Sequence, residues 1–247
     1  MGWLAVALVL AFAGLAILFP GRRLGLAFTI ATGIGRDALQ ARVDALEDKA
    51  LRHGDFHDDD REFLVDLYST LATGGKLVIL ARQTGRMMDH YLAGSGADYQ
   101  LDPVIFTSNR KVQRQADRLR MQARRSLCNE GRRLSSGTFY MPDPSNADSV
   151  FGLYHGELFL TQHPTESGQC LYRWRAEVPW VWPSYSSIRK KYGNPHAESF
   201  PLPSLRSLAF GRRHALFLDN GLGHHLEELG LARSFVAFAE WSDGSSE

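Results

Sequence analysis

The sequence predicts an α+β fold with an N-terminal transmembrane helix, a helical layer and an antiparallel, β-rich C-terminal half. Three observations carry that expectation. Residues 1–21 contain no charged side chain. Apolar residues then recur at helical spacing to about residue 133. Beyond residue 134 aromatic and β-branched residues replace that period, and eight of the ten prolines fall between Pro142 and Pro203. The expected divisions are an anchor over 1–20, a juxtamembrane linker helix over 21–58 and a soluble α+β domain over 59–247, helical to 133 and β-rich from 134. With 28 basic and 27 acidic residues, 44% hydrophobic and 22% charged, the composition excludes a disordered chain and a strongly polyanion-seeking one.

Residues 3–19 are apolar except for Gly14. A helix over 2–19 would span ~27 Å at ~1.5 Å per residue, close to the ~30 Å hydrocarbon thickness of a bilayer. A cleaved secretory signal is the rival reading, with Ala11-Phe12-Ala13 before Gly14, but no Lys or Arg precedes the apolar run, so a retained anchor is expected. Pro20-Gly21 stops the helix. Residues 24–35 form a second uncharged stretch, too short to cross alone. It reads as the start of a buried helix, with an interfacial or re-entrant segment as alternatives. Arg22, Arg23 and Arg36 follow the anchor and only the terminal amine precedes it, a bias that points the body to the cytoplasm. A secretion machine or an inserted hairpin would bypass that bias.

Leu39, Val43, Leu46 and Leu51 give a surface helix or stalk. His53, His57 and Asp58-Asp59-Asp60 concentrate ligand types for a divalent ion, but Asp59 or Asp60 followed by Glu62 is also a helix start. Phe63, Leu64, Leu67, Tyr68 and Leu71 then form its apolar stripe, so no metal set is assigned. Gly74-Gly75 is expected to break this helix, and 76–92 to complete a helical hairpin. Ser108 is expected to cap a helix with Val112, Ala116, Leu119, Ala123 and Leu127 on one face. Residues 108–133 hold nine Lys/Arg against two acids, net +7 in a chain whose total is +1. That field suits phosphates of lipids or of a lipid-linked precursor, with Arg114, Arg118, Arg125 and, further on, Arg189 as candidate phosphate-binding residues. A solvated helix face, an acidic protein partner and nucleic acid are the competing readings.

Residues 151–162 and 169–182 read as an antiparallel hairpin. Tyr172, Trp174, Trp180, Trp182 and Tyr185 crowd one segment, as a strand core or as a lipid-interface or stacking surface. Pro183 and Pro195 interrupt pairing around 184–192. Residues 214–218 form a short apolar run, Asp219-Asn220-Gly221 a tight turn, 222–229 a short helix and 234–241 a last strand. Cys128 and Cys170 lie 42 positions apart without a CxxC or a Cys/His series, so two unpaired thiols are expected.

No P-loop, nucleophile elbow, HExxH or dinucleotide fingerprint occurs, and Gly221-Leu222-Gly223 has no phosphate-binding context. The candidate catalytic residues are Tyr185, His196, Glu177 and Asp219, with Arg189, Glu198, His224 and His225 nearby in sequence. Histidine and carboxylate are the natural acid–base pair near neutral pH.

His90-Tyr91-Leu92-Ala93-Gly94-Ser95-Gly96, then Gly137-Thr138-Phe139, then Phe151-Gly152-Leu153-Tyr154-His155-Gly156-Glu157-Leu158-Phe159-Leu160, then Trp180-Val181-Trp182-Pro183-Ser184-Tyr185 resemble, in order and spacing, segments of colicin M-type bacteriocins and related interbacterial toxins. The similarity covers about residues 77–240. It implies a domain that degrades the undecaprenyl-linked peptidoglycan precursor lipid II. The sequence departs from the family's pattern at its active segment, which carries an Asp, a Tyr and another Asp. Here Pro183-Ser184-Tyr185-Ser186 keeps the Tyr alone. The family's His-Arg pair is matched only by His196, followed by Ala197. Three outcomes follow: a related fold using other acids such as Glu177 or Glu198, a fold that only binds, or a chance likeness.

The expected function is therefore a membrane-anchored antibacterial effector acting on a lipid-linked cell-wall precursor as a hydrolase of a polyprenyl-pyrophosphate linkage. The cofactor is open, with Mg²⁺ as the candidate such a substrate brings. Membrane lipid and an immunity or secretion protein are the expected partners, at the bacterial inner membrane with a single pass. The alternative is a non-catalytic anchored subunit that docks an acidic partner or anionic lipid.

Overall fold

The computed structural model describes residues 19, 21–77, 82–125, 127–143, 153–202, 204–211 and 215–243. In chain order the elements are α1 (Arg22–Thr32), α2 (Arg36–Leu51), α3 (Asp58–Leu77), α4 (Arg82–Leu92), β1 (Tyr99–Gln100), α5 (Val104–Thr107), α6 (Arg110–Arg124) and β2 (Arg133–Tyr140). There follow β3 (His155–Pro164), β4 (Cys170–Trp180), α7 (Tyr185–Tyr192), β5 (Ser199–Leu202), α8 (Leu205–Phe210), β6 (Leu216–Asp219), α9 (Asn220–Glu228) and β7 (Phe235–Asp243). The fold is α+β. The expected anchor over 1–20 lies, Phe19 apart, outside the described residues, and among the described residues no helix is long and apolar enough to cross a membrane.

Two compact units divide the chain. The described residues up to 74, 91–94 and 181–233 form the first; 75–90, 95–180 and those from 234 on form the second.

In the first unit α2 is a surface helix with one buried face, as one of the two expectations has it, and not a stalk. Leu39, Val43, Leu46 and Ala50 are buried along one stripe, each large side chain gaining roughly 1.5–3 kcal/mol on leaving water. The polar residues beside that stripe bond to β6. Arg36 Nε donates to the Ala215 carbonyl at 2.9 Å. Gln40 donates to the Phe217 carbonyl at 3.0 Å and accepts the Phe217 N–H at 2.8 Å. Glu47 Oε1 accepts the Asp219 N–H at 2.9 Å. Positions 215, 217 and 219 share one strand edge, because backbone groups alternate in direction along a strand. β6 pairs with β5 on its other edge, so the helix completes the hydrogen bonding of a two-stranded sheet.

α3 starts at Asp58, where the His57 carbonyl accepts from the N–H groups of Asp60 and Arg61, and three aspartates in its first turn suit the positive end of the helix dipole. It runs through Gly74-Gly75 to Leu77, against the expected break there. Each glycine costs about 1 kcal/mol relative to alanine, which the burial of Leu64, Leu67, Tyr68 and Ala72 upstream offsets. Two further expectations are corrected. Residues 185–192 form helix α7 rather than interrupted strand: Ser184 accepts the Ser187 N–H and Gly193 closes the C-terminus in the left-handed region, φ 75°. There is also no tight turn at Asp219-Asn220-Gly221, because β6 passes directly into α9.

The second unit is built on the sheet β1-β7-β4-β3-β2. The expected hairpin is present as β3 and β4, antiparallel with Glu157 opposite Glu177, and β7 pairs antiparallel to β4. Tyr172, Trp174 and Trp180 are buried, so these aromatic residues are core. α6 packs on β2 and β3 through Val112, Ala116, Leu119 and Ala123. Its cap is Asn109, whose side chain accepts from Lys111 and Val112, not Ser108. Leu127, expected on the buried stripe, is 85% exposed because the helix stops at Arg124. Cys128 and Cys170 are joined in a disulfide, which overturns the expectation of two thiols. The chain leaving α6 returns beside the end of β3, where Gly131 and Arg132 bond to both backbone groups of Gln162. Cys170 lies opposite Pro164 at that same end.

Candidate functional site

In the first unit four segments bring titratable groups together. α2 supplies Glu47, the start of α7 supplies Tyr185, the turn before β5 supplies His196, and the end of β6 supplies Asp219. His196 is set by an Asx turn in which Asn194 Oδ1 accepts its N–H at 3.0 Å. Its Nδ1 is hydrogen-bonded to Asp219 Oδ2. The imidazole is 42% exposed while the Asp219 side chain is 5% exposed, so the pair has one open and one closed end. The Tyr185 ring stands edge-on to the His196 ring at 6.2 Å.

Two glycines shape this wall. A Cβ on Gly221 would lie 2.5 Å from the Tyr185 ring, and one on Gly223 would lie 2.4 Å from the Trp182 ring. The Gly221-Leu222-Gly223 segment therefore lets two aromatic rings lie against the first turn of α9. Tyr91 donates its hydroxyl to the Gly223 carbonyl at 2.7 Å, and Trp182 meets Tyr68 edge-on at 6.2 Å.

Burial raises the Glu47 carboxyl to about 8, and the neighbouring charges of Asp219 and Asp44 add to that, against the Asp219 backbone N–H. Asp219 is also raised, chiefly by burial, with the His196 hydrogen bond working against it. The hydrogen bond between the two carboxyl groups favours the proton on Glu47 and the charge on Asp219. Burial, then the negative charge of Glu47 and Asp219, pushes the phenols of Tyr68 and Tyr185 above their ordinary value. Neither hydroxyl has a hydrogen-bond partner among the described residues. The arrangement is thus a pair of hydrogen-bonded carboxyl groups, a part-exposed imidazole whose Nδ1 is taken by Asp219, and neutral phenols alongside, the components of acid–base chemistry near neutral pH.

Of the four candidate catalytic residues the fold brings Tyr185, His196 and Asp219 together. Glu177 belongs to the second unit. The strand alternation that buries Ala176 and Val178 turns it to the other face of β4, where Arg175 Nε pairs with it at 2.6 Å. Arg114, Arg118 and Arg125 lie exposed on or just after α6 of the second unit, and Arg189 lies exposed on α7 of the first. Glu198 is engaged by Asn220 at 3.4 Å and Lys191 at 3.5 Å. His224 and His225 sit within α9, both directed to Glu228. His53 and His57 join no set of converging ligands: among the described residues Glu47, His196 and Asp219 are the group of three whose ligand atoms converge. Glu47 is the member that sequence reasoning missed. Its signal was its place four residues after Val43, within the apolar stripe of α2.

Comparison with protein-family models, with curated proteins and with solved structures finds no match.

Proposed function

We propose that the chain is a membrane-anchored antibacterial effector that hydrolyses a polyprenyl-pyrophosphate-linked cell-wall precursor at the site formed by Tyr185, His196, Asp219 and Glu47. The observation that carries this reading is the hydrogen bond between His196 Nδ1 and the buried Asp219, whose backbone N–H is in turn accepted by the buried Glu47. The substrate class comes from the colicin M-type resemblance of residues 77–240, and the anchor from the uncharged residues 1–21.

In the reaction the cluster activates a water for attack on phosphorus. The phosphorus–oxygen bond to the leaving group breaks, and the leaving oxygen takes up the proton that the water lost. Arg189, exposed on the same unit as the cluster, supplies positive charge for the phosphate oxygens. The Cys128–Cys170 bond supports placing the body on the oxidising side of the inner membrane, where a lipid-linked precursor is displayed, in preference to the cytoplasmic side favoured by the flanking arginines.

The test is release of the soluble headgroup from lipid II by the purified full chain in detergent. Turnover is expected, falling about a hundredfold or more in His196→Ala and Asp219→Asn, the usual worth of a positioned acid–base group. Absence of turnover on lipid II and on polyprenyl pyrophosphates refutes the reading. The exposed arginines of α6 favour a second one, a non-catalytic subunit that docks anionic lipid.

A further inference from the structure

Glu47 and Asp219 are almost wholly buried residues, at 6% and 3% exposure, and their side chains touch each other and one imidazole. Two carboxyl groups in such surroundings persist either by holding a proton between them or by binding a cation, since a buried like-charge pair is opposed both by lost hydration and by mutual repulsion. The geometry points to a divalent-cation site formed by Glu47, Asp219 and His196 Nδ1, taking a first-row ion of the Mn²⁺ or Zn²⁺ class. This deepens the hydrolytic reading by naming the cofactor of the same site.

Four observations support it. The ligand atoms of the three residues lie within 4.8 Å of one another, and donors bound at about 2.0–2.2 Å stand roughly 3–4 Å apart around an ion. Seating one therefore needs only a small rotation of the exposed His196 ring. One imidazole and two carboxylates make a mixed donor set, which suits Mn²⁺ and Zn²⁺ better than the all-oxygen preference of Ca²⁺. An ion seated there would displace the proton that the pair shares, leaving two carboxylates whose charge of −2 balances that of the ion. Glu47 Oε1 is held by the Asp219 N–H, the kind of orienting bond that fixes a ligating carboxylate and leaves its other oxygen for the metal.

An independent sign is Tyr68. It is 0% exposed, its hydroxyl has no partner among the described residues, and its phenol lies in the field of Glu47 and Asp219. Entry is open from the His196 side, where the ring is 42% exposed. A bound ion lowers the pKa of its water toward neutrality, and so supplies the nucleophile that the reaction needs.

The test is isothermal titration of the untagged full chain in detergent with MnCl₂ and with ZnCl₂, and Mn²⁺ paramagnetic resonance as a second readout. One saturable site is expected, with affinity falling at least about tenfold in Glu47→Gln and in His196→Ala, or 1.4 kcal/mol by the usual conversion. Glu47→Gln keeps an oxygen to accept the Asp219 N–H, and His196 is exposed, so both variants should retain the fold by circular dichroism. No saturable binding of either ion, or binding that both variants leave unchanged, overturns the site. Lipid II turnover undiminished in EDTA also overturns it while leaving the hydrolase reading intact. Binding without turnover upholds the site and removes the hydrolase reading.

Discussion

Glu47 accepts the backbone N–H of Asp219 at 2.9 Å across 172 positions of sequence, and the same helix face meets Phe217 and Ala215 on the way. One set of bonds thus closes the edge of a small sheet and sets the spacing of two acids. The middle of the set is the place to test it. Gln40→Ala removes both bonds to the Phe217 backbone, and leaving such groups unpaired costs roughly 1–3 kcal/mol. Urea denaturation should show a loss of about 2 kcal/mol. A loss within the error of the extrapolation would mean that water replaces the amide freely.

The glycines of α9 predict a different kind of damage. Gly221→Ala places a methyl 2.5 Å from the Tyr185 ring, and overpacking of this sort costs about 1–3 kcal/mol. The fold should survive while Tyr185 shifts, so headgroup release should fall at least about tenfold, 1.4 kcal/mol in the barrier. Gly223→Ala should instead displace Trp182, visible as a shift in tryptophan emission. Unchanged emission and unchanged turnover in the two variants would show that the rings move aside at no cost.

Asp60 sets a pH window for stability. Lys49 Nζ pairs with it at 2.7 Å, and that bond holds its carboxyl below the ordinary value of 3.8. A depressed folded-state pKa adds stability above the unfolded value, and that stability is lost as pH falls through the folded one. The pair is partly exposed, so its worth is about 0.2–1 kcal/mol. Asp60→Asn should melt slightly lower than the parent at pH 7, with the gap closing once the pH drops below the ordinary aspartate range. A gap of constant size down to strong acid would assign the effect to packing.

The Cys128–Cys170 bond closes a loop of 42 residues' separation, for which chain-entropy arguments give about 4 kcal/mol. Cys128→Ala/Cys170→Ala should lower stability to urea by about 2–4 kcal/mol, and dithiothreitol should destabilise the parent but not the variant. Equal sensitivity of both proteins to the reductant excludes the bond as the cause.

The exposed face of α6 is testable by itself. Arg114, Arg118 and Arg125 are exposed with Met121, which is 57% exposed, at spacings that line one side of the helix. Each basic residue near an anionic surface contributes about 1 kcal/mol. The triple change to glutamine should therefore weaken association with phosphatidylglycerol vesicles by about a hundredfold or more, with little effect on neutral vesicles. Because the expected anchor inserts in any bilayer, the comparison is between variants of a chain starting at residue 22, once circular dichroism shows that it folds. Equal losses on neutral vesicles would point to lost structure rather than lost charge.

The sequence made the α6 stripe and the β3–β4 hairpin legible because each buries one face at its own period, as Val112, Ala116, Leu119 and Ala123 do. Helix α7 was hidden because Pro183 and Pro195 read as strand breakers, although Ser184 and Gly193 are its start and stop signals. Tyr185, His196 and Asp219 were nominated by chemical type, and only the fold shows that they meet. Glu47 was masked by Asp44 and Asp48, which make the segment look solvated. Its partner lies far along the chain, and no local pattern records such a pairing. The disulfide was equally invisible, because two cysteines 42 positions apart carry no spacing signature, and only the return of the chain beside β3 brings them together.

The ladder from α2 to β6 also governs what can be cut from this protein. Cleavage just ahead of Arg22 would release a body that keeps its acid cluster entire. Cleavage anywhere between α2 and α3 would strip off one wall, leave the β6 edge open to other strands, and yield a fragment prone to self-association. Of these two cuts, only the one ahead of α2 leaves the α2–β6 ladder within a single chain.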